Sequence, residues 1–258
     1  MEKLIRFSFA LTPRMQAFIE LRNALCCLKK GAQGEDAYGW LIAVQDLHES
    51  LFGSTARKPV TPELLGLIQA IQARLMRLTE RHVDFKPQIL STCDRLSEYE
   101  QTLATHIPPV MDFLSEDALI QAWLNSQKKQ DWVAHRLFYP QLLPFFWSSL
   151  GVPKELNRRL QEVYAIVTHV DQMLNDFVSW SDQVALGGCD QASPSSKEDR
   201  YGLLIVGLER SWVEAGVVPE FSGNRHAVRV RFQKWQMGQC HQPFDQDITY
   251  HRMLVPIE

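Results

Sequence analysis

The feature that most constrains the fold of this chain is a change in the period of its apolar residues near residue 187. Before that point, apolar side chains recur at three- and four-residue intervals, which is typical of helices buried on one face. After it, apolar and polar residues alternate in short segments, which is typical of half-buried strands. The stretch 187–199 is rich in Gly, Ser, Pro and Asp and predicts a linker. An α+β fold is therefore predicted.

The first part of the chain predicts about six helices. Thr12 followed by Pro13 is typical of an N-cap and a first helical residue. The fourth helix is expected to end near His106, because the HIPPV sequence places two prolines after it. Ser115 is expected to begin a fifth helix whose first turn contains Glu116 and Asp117, and a last, long helix is predicted from Lys154 to Leu186.

Four strands are predicted from the alternation of side chains. One is the N-terminal segment 4–9, and three follow the linker at 202–210, 226–234 and about 244–252. We expect them to form a small, mostly antiparallel sheet. The predicted organisation is a helical domain of residues 10–186 and a β domain made from residues 1–9 and 200–258.

Composition excludes several classes of protein. The chain has 258 residues, of which 45% are hydrophobic and 22% charged, as in globular rather than disordered proteins. Its net charge of -3 argues against general binding of polyanions. No apolar run is long enough for a bilayer span, the N-terminus does not resemble a signal peptide, and the five cysteines have no framework spacing. A cytoplasmic protein without membrane insertion is predicted.

No catalytic, metal or cofactor motif is found in the sequence. Cys240 and His241 could serve as a nucleophile and base, but adjacent residues of a strand point to opposite faces. This pair is the basis of a hydrolase hypothesis. His226, His241 and His251 have no metal-ligand spacing and are interpreted as surface residues. We therefore predict a protein that is not an enzyme and has no cofactor and no bound metal.

The aromatic stretch from Trp132 to Trp147 could stack on nucleic-acid bases or pack in a core or subunit interface. Only one basic residue, Arg136, lies within it, whereas proteins that bind single strands combine aromatic with many basic side chains. Packing against the core or a second subunit is therefore the favoured interpretation.

The strongest local charge pattern is NRHAVRVRFQKW at residues 224–235. In a strand, Val228, Val230 and Phe232 would form a buried face, and Arg225, Arg229 and Arg231 an exposed row on the other side. Two interpretations remain open at this point. The arginines could protect an edge strand from pairing, or they could bind an acidic segment, for which the planar guanidinium group is well suited.

Several motifs in the same order resemble those of the ZapD family of bacterial cell-division proteins. They are FSFALTPRMQAFIELR near the N-terminus, PVMDFLSEDALI in the middle, and YGLLIVGLERSW with VVPEFSGNRHAVRVRF near the C-terminus. Together they span most of the chain, except for residues 126–150, and no single motif is diagnostic.

The resemblance implies a helical domain, a β domain and a homodimer that has no catalytic activity. It implies that the chain binds the C-terminal tail of FtsZ through basic residues and cross-links FtsZ filaments at the division site at midcell. Arg231 occupies the position of a tail-binding arginine of the family. Ala227 and Ala118 occupy positions where the family commonly has arginine, and Arg229 could replace the charge missing at Ala227.

The predicted partner-binding residues come from the basic strand and two further basic sites. They are Arg225, Arg229, Arg231, Arg22, Arg57 and Lys58. The main alternative is a nucleic-acid-binding module that uses the face formed by Arg225, Arg229 and Arg231.

Overall fold

The change of period in the sequence corresponds to two structural units of different architecture, and the chain has an α+β fold. A computed structural model describes residues 4–31, 37–53, 59–81, 83–129, 151–176, 178–193, 200–235 and 242–256. Ala17–Asp171 form a helical unit, whereas Met1–Gln16 and Gln172–Glu258 form a unit that contains all the described strands. The β unit thus draws on both ends of the chain.

The helices follow the apolar stripes of the sequence. At the first of them, the Thr12 hydroxyl accepts a hydrogen bond from the Met15 backbone N–H at 3.3 Å, which confirms the predicted N-cap. Among the described residues, no helix is both long and apolar enough to cross a membrane. The helices are α1 Pro13–Gly31, α2 Ala37–Phe52, α3 Val60–Arg81, α4 Lys86–Glu116, α5 Ala118–Lys129, α6 Val152–Arg159, α7 Gln161–Asp176 and α8 Arg210–Glu214, with a 3-10 turn at Val83–Phe85.

Helix α4 continues through the two prolines that were expected to end it. Pro108 and Pro109 lie inside the helix on its exposed side. A proline inside a helix costs about 3 kcal/mol, but each fully buried aliphatic side chain contributes roughly 1.5–3 kcal/mol. Ile107, Val110 and Leu114 are buried around the proline pair. The prediction of a break after His106 was wrong because burial of this stripe outweighs the local cost of the prolines.

The start of the fifth helix also differs from the prediction. Ser115 belongs to α4, where its hydroxyl donates to the Met111 carbonyl at 2.9 Å. The N-cap of α5 is Asp117, whose Oδ1 accepts a hydrogen bond from the Ile120 backbone N–H at 2.9 Å. Both residue types can cap a helix, and the chain bends at the one whose backbone is extended.

The strands form two antiparallel sheets rather than the single small sheet predicted. The first has the order β1-β4-β8-β2, and the second the order β3-β6-β5, with β7 paired to β6. The N-terminal strand β1, predicted from its alternation, lies at one edge of the first sheet in the described structure. The strands are β1 Ile5–Ala10, β2 Ser181–Ala185, β3 Cys189–Ala192, β4 Tyr201–Leu208, β5 Val217–Asn224, β6 Ala227–Lys234, β7 Gln242–Pro243 and β8 Ile248–Pro256.

The prediction of one long helix from Lys154 to Leu186 was wrong. The described part of this range forms two helices, α6 and α7, and the chain then forms strands β2 and β3 between residues 181 and 192. These strands are short and polar, and each is stabilised by pairing with a strand far along the sequence, β8 and β6 respectively. Their formation therefore depends on contacts that local periodicity does not reveal.

The core of the β unit lies between the two sheets. Phe232 of the second sheet packs edge-to-face on Tyr250 of the first, with ring centroids 5.3 Å apart. Polar contacts also join the two sheets. Asp190 of β3 accepts hydrogen bonds from the Tyr250 hydroxyl and from Arg252 Nη1, the latter at 2.6 Å. The sheets are thus joined by an apolar core and by the ionic link between Asp190 and Arg252.

A tight turn joins the two sheets, and its glycines allow a test of this arrangement. Gly187 and Gly188 have φ values of 55° and 70°. A Cβ atom on Gly187 would meet no neighbour, whereas one on Gly188 would overlap the backbone oxygen of Phe244. We expect Gly187→Ala to lower the free energy of unfolding by about 1 kcal/mol, because alanine is strained in the left-handed backbone conformation. We expect Gly188→Ala to lower the free energy of unfolding by about 1–3 kcal/mol more than Gly187→Ala does, because the backbone at Phe244 must move to admit the methyl group. Urea unfolding of both variants measures the difference. Equal unfolding midpoints would show that the backbone around the turn adjusts to the added methyl group at no cost in stability.

Candidate functional site

The candidate site is the outer face of the second sheet, which we call the arginine face. It is formed by alternate residues of three adjacent strands, and the strand register places residues directly opposite each other on one side of the sheet. Arg229 lies between Gln191 and Ser222, and Arg231 lies between Cys189 and Glu220. The arginine face consists of Cys189, Gln191, Val218, Glu220, Ser222, Arg229, Arg231 and Gln233.

The alternation predicted for β6 is confirmed by the burial of its residues. Val228, Val230 and Phe232 are buried in the core between the sheets, whereas Arg229 and Arg231 are exposed. Successive outward residues of a strand are about 7 Å apart, so the two guanidinium groups are close enough to contact one short ligand. The apolar side of β6 therefore determines where its arginines lie.

The position of β6 argues against one of the two interpretations of its charge. β6 pairs with β3 and β7 along one side and with β5 along the other. It is an interior strand, so its arginines do not protect a sheet edge from pairing with another chain. The edge-strand interpretation was wrong, because a strand's neighbours are set by pairing at long range and not by its own alternation.

The two arginines differ in their surroundings. Arg229 donates a hydrogen bond from Nε to the Cys189 sulfur at 3.2 Å, and this contact raises the pKa of Arg229 above its ordinary value. Within the described parts of the chain, no hydrogen bond or ion pair engages the Arg231 guanidinium. Glu220, directly across from Arg231, accepts a hydrogen bond from the Gln233 amide instead. Both guanidinium groups thus remain available to carboxylates of a partner.

Arg225 does not belong to the exposed row that was predicted. It lies in the turn before β6, is only half-exposed, and its Nε is 3.2 Å from His226 Nε2. The hairpin between β5 and β6 begins to pair at Asn224 and Ala227, so the alternation of the strand does not extend back to Arg225. The prediction was wrong because the local sequence does not show where the turn replaces the strand.

The other predicted basic sites have different outcomes. Arg22 lies in the helical unit and forms an ion pair with Asp171 at 2.6 Å, so its charge is already compensated. Arg57 and Lys58 lie outside the described residues. Ala118 is the exposed first residue of α5 and Ala227 the first residue of β6. Ala227 is two residues before Arg229 on the same face of the strand, so Arg229 places a positive charge on that face.

The structure separates the histidines that were considered as metal ligands. His226 lies in the turn before β6, whereas His251 lies in β8 of the other sheet and pairs with Asp182 at 2.7 Å. In the part of the chain that the structure describes, no group of three His, Cys, Asp or Glu residues could hold a metal ion. Cys240, His241 and the aromatic stretch 132–147 lie outside the described residues.

Strand β5 and its side chains were missed by the sequence analysis. VVPEFSGN lies between two predicted strands and was not itself predicted as a strand. The alternation is nevertheless present, since Val217 and Phe221 pack toward the core while Glu220 and Ser222 are exposed. Proline is tolerated in a strand at a sheet edge, and in the described structure β5 pairs only with β6. This signal could have revealed β5 as a strand with Glu220 on its exposed side.

No family model matches the chain, and no curated protein matches it.

Proposed function

We propose that this chain is a non-enzymatic adaptor of bacterial cell division that binds the acidic C-terminal tail of FtsZ through the arginine face. The observation that supports the proposal most directly is the pair of exposed arginines on an interior strand. In the described residues, neither guanidinium is paired with a carboxylate. Arginine binds carboxylates through two parallel hydrogen bonds, so the face suits an acidic peptide. The order of ZapD-like motifs along the sequence supports FtsZ as the source of that peptide.

The proposal includes a homodimer that cross-links filaments at the division site. Two tail sites on one assembly can bridge two filaments, and weak single contacts are strengthened when both sites engage a polymer. A dimer requires an apolar surface, and the helical unit has one at the turn between α3 and α4. Val83 and Phe85 are exposed there, together with Met76 and Leu90 on the adjoining helices.

Co-sedimentation with FtsZ tests the proposed function. We expect the chain to pellet with assembled FtsZ and to produce bundles at low centrifugal speed, whereas FtsZ that lacks its C-terminal tail should leave it in the supernatant. Light scattering of the chain alone should give about twice the 29.7 kDa of one copy. Equal pelleting with full-length and tail-deleted FtsZ would contradict the proposal, and a monomer at micromolar concentration would contradict cross-linking.

An oligonucleotide distinguishes the main alternative function. A nucleic-acid-binding module would bind a single-stranded oligonucleotide more tightly than an FtsZ tail peptide of equal negative charge. We expect the reverse, because Arg229 and Arg231 are spaced for two carboxylates of an extended peptide. Proteins that follow a phosphate backbone usually neutralise many phosphates, and the arginine face has only two arginines for this purpose.

A further inference from the structure

Beyond the two arginines, the outward side of β6 leads to a tryptophan. The Trp235 backbone N–H donates to the Gly216 carbonyl at 2.8 Å, so the pairing of β5 with β6 continues one residue beyond the strand. By the alternation of the strand, Trp235 follows Arg229, Arg231 and Gln233 on the arginine face. Its side chain is 61% exposed.

The residues between the arginines and Trp235 are compatible with a peptide lying across them. Gln233 is buried and its amide donates to Glu220, so that carboxylate is held by a neutral partner. Val218 lies opposite Gln233 and adds a half-buried apolar side chain beside the path to Trp235. The outward side of β6 and its continuation thus has a cationic end at Arg229 and Arg231 and an apolar end at Trp235.

We propose that this surface recognises an extended acidic peptide that also carries a large apolar side chain at a defined spacing. This inference rests on the proposed function in one respect, that the arginine face is a peptide-binding site. Arg229 and Arg231 are about 7 Å apart and Arg231 and Trp235 about 14 Å apart along the strand. An extended ligand has nearly the same rise per residue.

The ligand therefore has acidic residues two positions apart and an aliphatic or aromatic residue four positions beyond the acid that contacts Arg231. The carboxylates supply charge complementarity and the apolar residue covers Trp235. A purely acidic segment would leave Trp235 exposed to water, and a purely apolar one would leave both arginines without partners. The surface is selective because both conditions must be met.

A double-mutant cycle between protein and peptide tests this inference. The probe is a fluorescently labelled seven-residue peptide with glutamate at its first and third positions, leucine at its seventh and serine elsewhere, measured by anisotropy. A second peptide has alanine in place of the leucine, and a third has the leucine moved to the fifth position. Because the strand of the ligand can run in either direction, the reversed sequences are measured as well.

We expect the leucine peptide, in one of its two directions, to bind on the order of tenfold more tightly than the alanine peptide, the size expected for partial burial of one side chain. Trp235→Ala should abolish this preference without weakening the alanine peptide, and Trp235→Phe should retain most of it. Moving the leucine to the fifth position should remove the gain. Urea unfolding of each variant verifies that the β unit remains folded.

Some outcomes would overturn the inference. One is a preference for leucine that survives Trp235→Ala, another is equal weakening of all peptides by that substitution, and a third is tighter binding of an oligonucleotide of equal charge. The FtsZ sedimentation assay separates this inference from the proposed function. Tail-dependent binding of FtsZ without coupling between leucine and Trp235 rejects only the inference. Coupling without binding of FtsZ supports the inference and rejects FtsZ as the partner.

Discussion

Reversing the charge of both arginines on the arginine face, with Arg229→Glu and Arg231→Glu, is expected to weaken binding of the FtsZ tail on the order of a hundredfold or more. Two charge-assisted contacts are lost and two repulsive charges are added. Folding should be retained, because both side chains are exposed and Val228, Val230 and Phe232 beneath them are unchanged. Fluorescence anisotropy with a labelled tail peptide measures the affinity, and urea unfolding measures the stability.

Two further variants make this result interpretable. A glutamate at position 231 would face Glu220 directly, and like charges opposite each other destabilise a sheet. The neutral pair Arg229→Gln and Arg231→Gln avoids this repulsion and should still weaken binding about tenfold or more. Lys234→Glu is the matched control, since Lys234 is also exposed on β6 but lies on the other side of the strand.

The dependence on salt provides an independent check. The two guanidinium groups are exposed, so ions screen their attraction to a ligand. We expect the affinity of the wild-type chain for the tail peptide to fall as the salt concentration rises, and that of the neutral double variant to change much less. If the folded double variants bundle FtsZ as the wild type does, the tail site lies elsewhere on the chain.

The second large effect is expected in the ionic link between the sheets. Arg252 and Asp190 have side-chain exposures of 15% and 19%, and their charged groups are 2.6 Å apart. Removing one partner of such a pair leaves the other charge poorly solvated. We therefore expect Asp190→Ala to lower the free energy of unfolding by about 3 kcal/mol. The Tyr250 hydroxyl loses its acceptor in the same variant, and burial already raises the pKa of this tyrosine.

A control and a compensating variant separate this effect from a general loss of charge. Asp182 also pairs with a side chain of β8, His251, but its own side chain is 81% exposed. Asp182→Ala should therefore cost under about 1 kcal/mol. Adding Arg252→Met to Asp190→Ala removes the orphaned charge and should recover part of the stability. If the two aspartate variants unfold at the same urea concentration, the link across the core contributes no more than a surface pair.

Much of the helical unit could be predicted because helices are encoded by neighbouring residues. The N-cap at Thr12 and the stripes buried in α1 to α3 follow from spacings of three and four residues. The exceptions occurred where longer-range contacts oppose a local signal. Pro108 and Pro109 remain inside α4 because the buried stripe on its other side continues past them. Strands β2 and β3 replace a predicted helix end and the start of a predicted linker because they pair with β8 and β6.

For the candidate site, the sequence by itself determined on which side of β6 the two arginines lie. Side chains of a strand alternate, so the burial of Val228, Val230 and Phe232 places Arg229 and Arg231 on the outer side. Only the tertiary structure decided that β6 is an interior strand, that Glu220 lies opposite Arg231, and that the pairing continues to Trp235. These properties depend on the register between strands distant in sequence. The alternation within one strand specifies which of its side chains lie on each face of the sheet, but not which residues of other strands lie beside them.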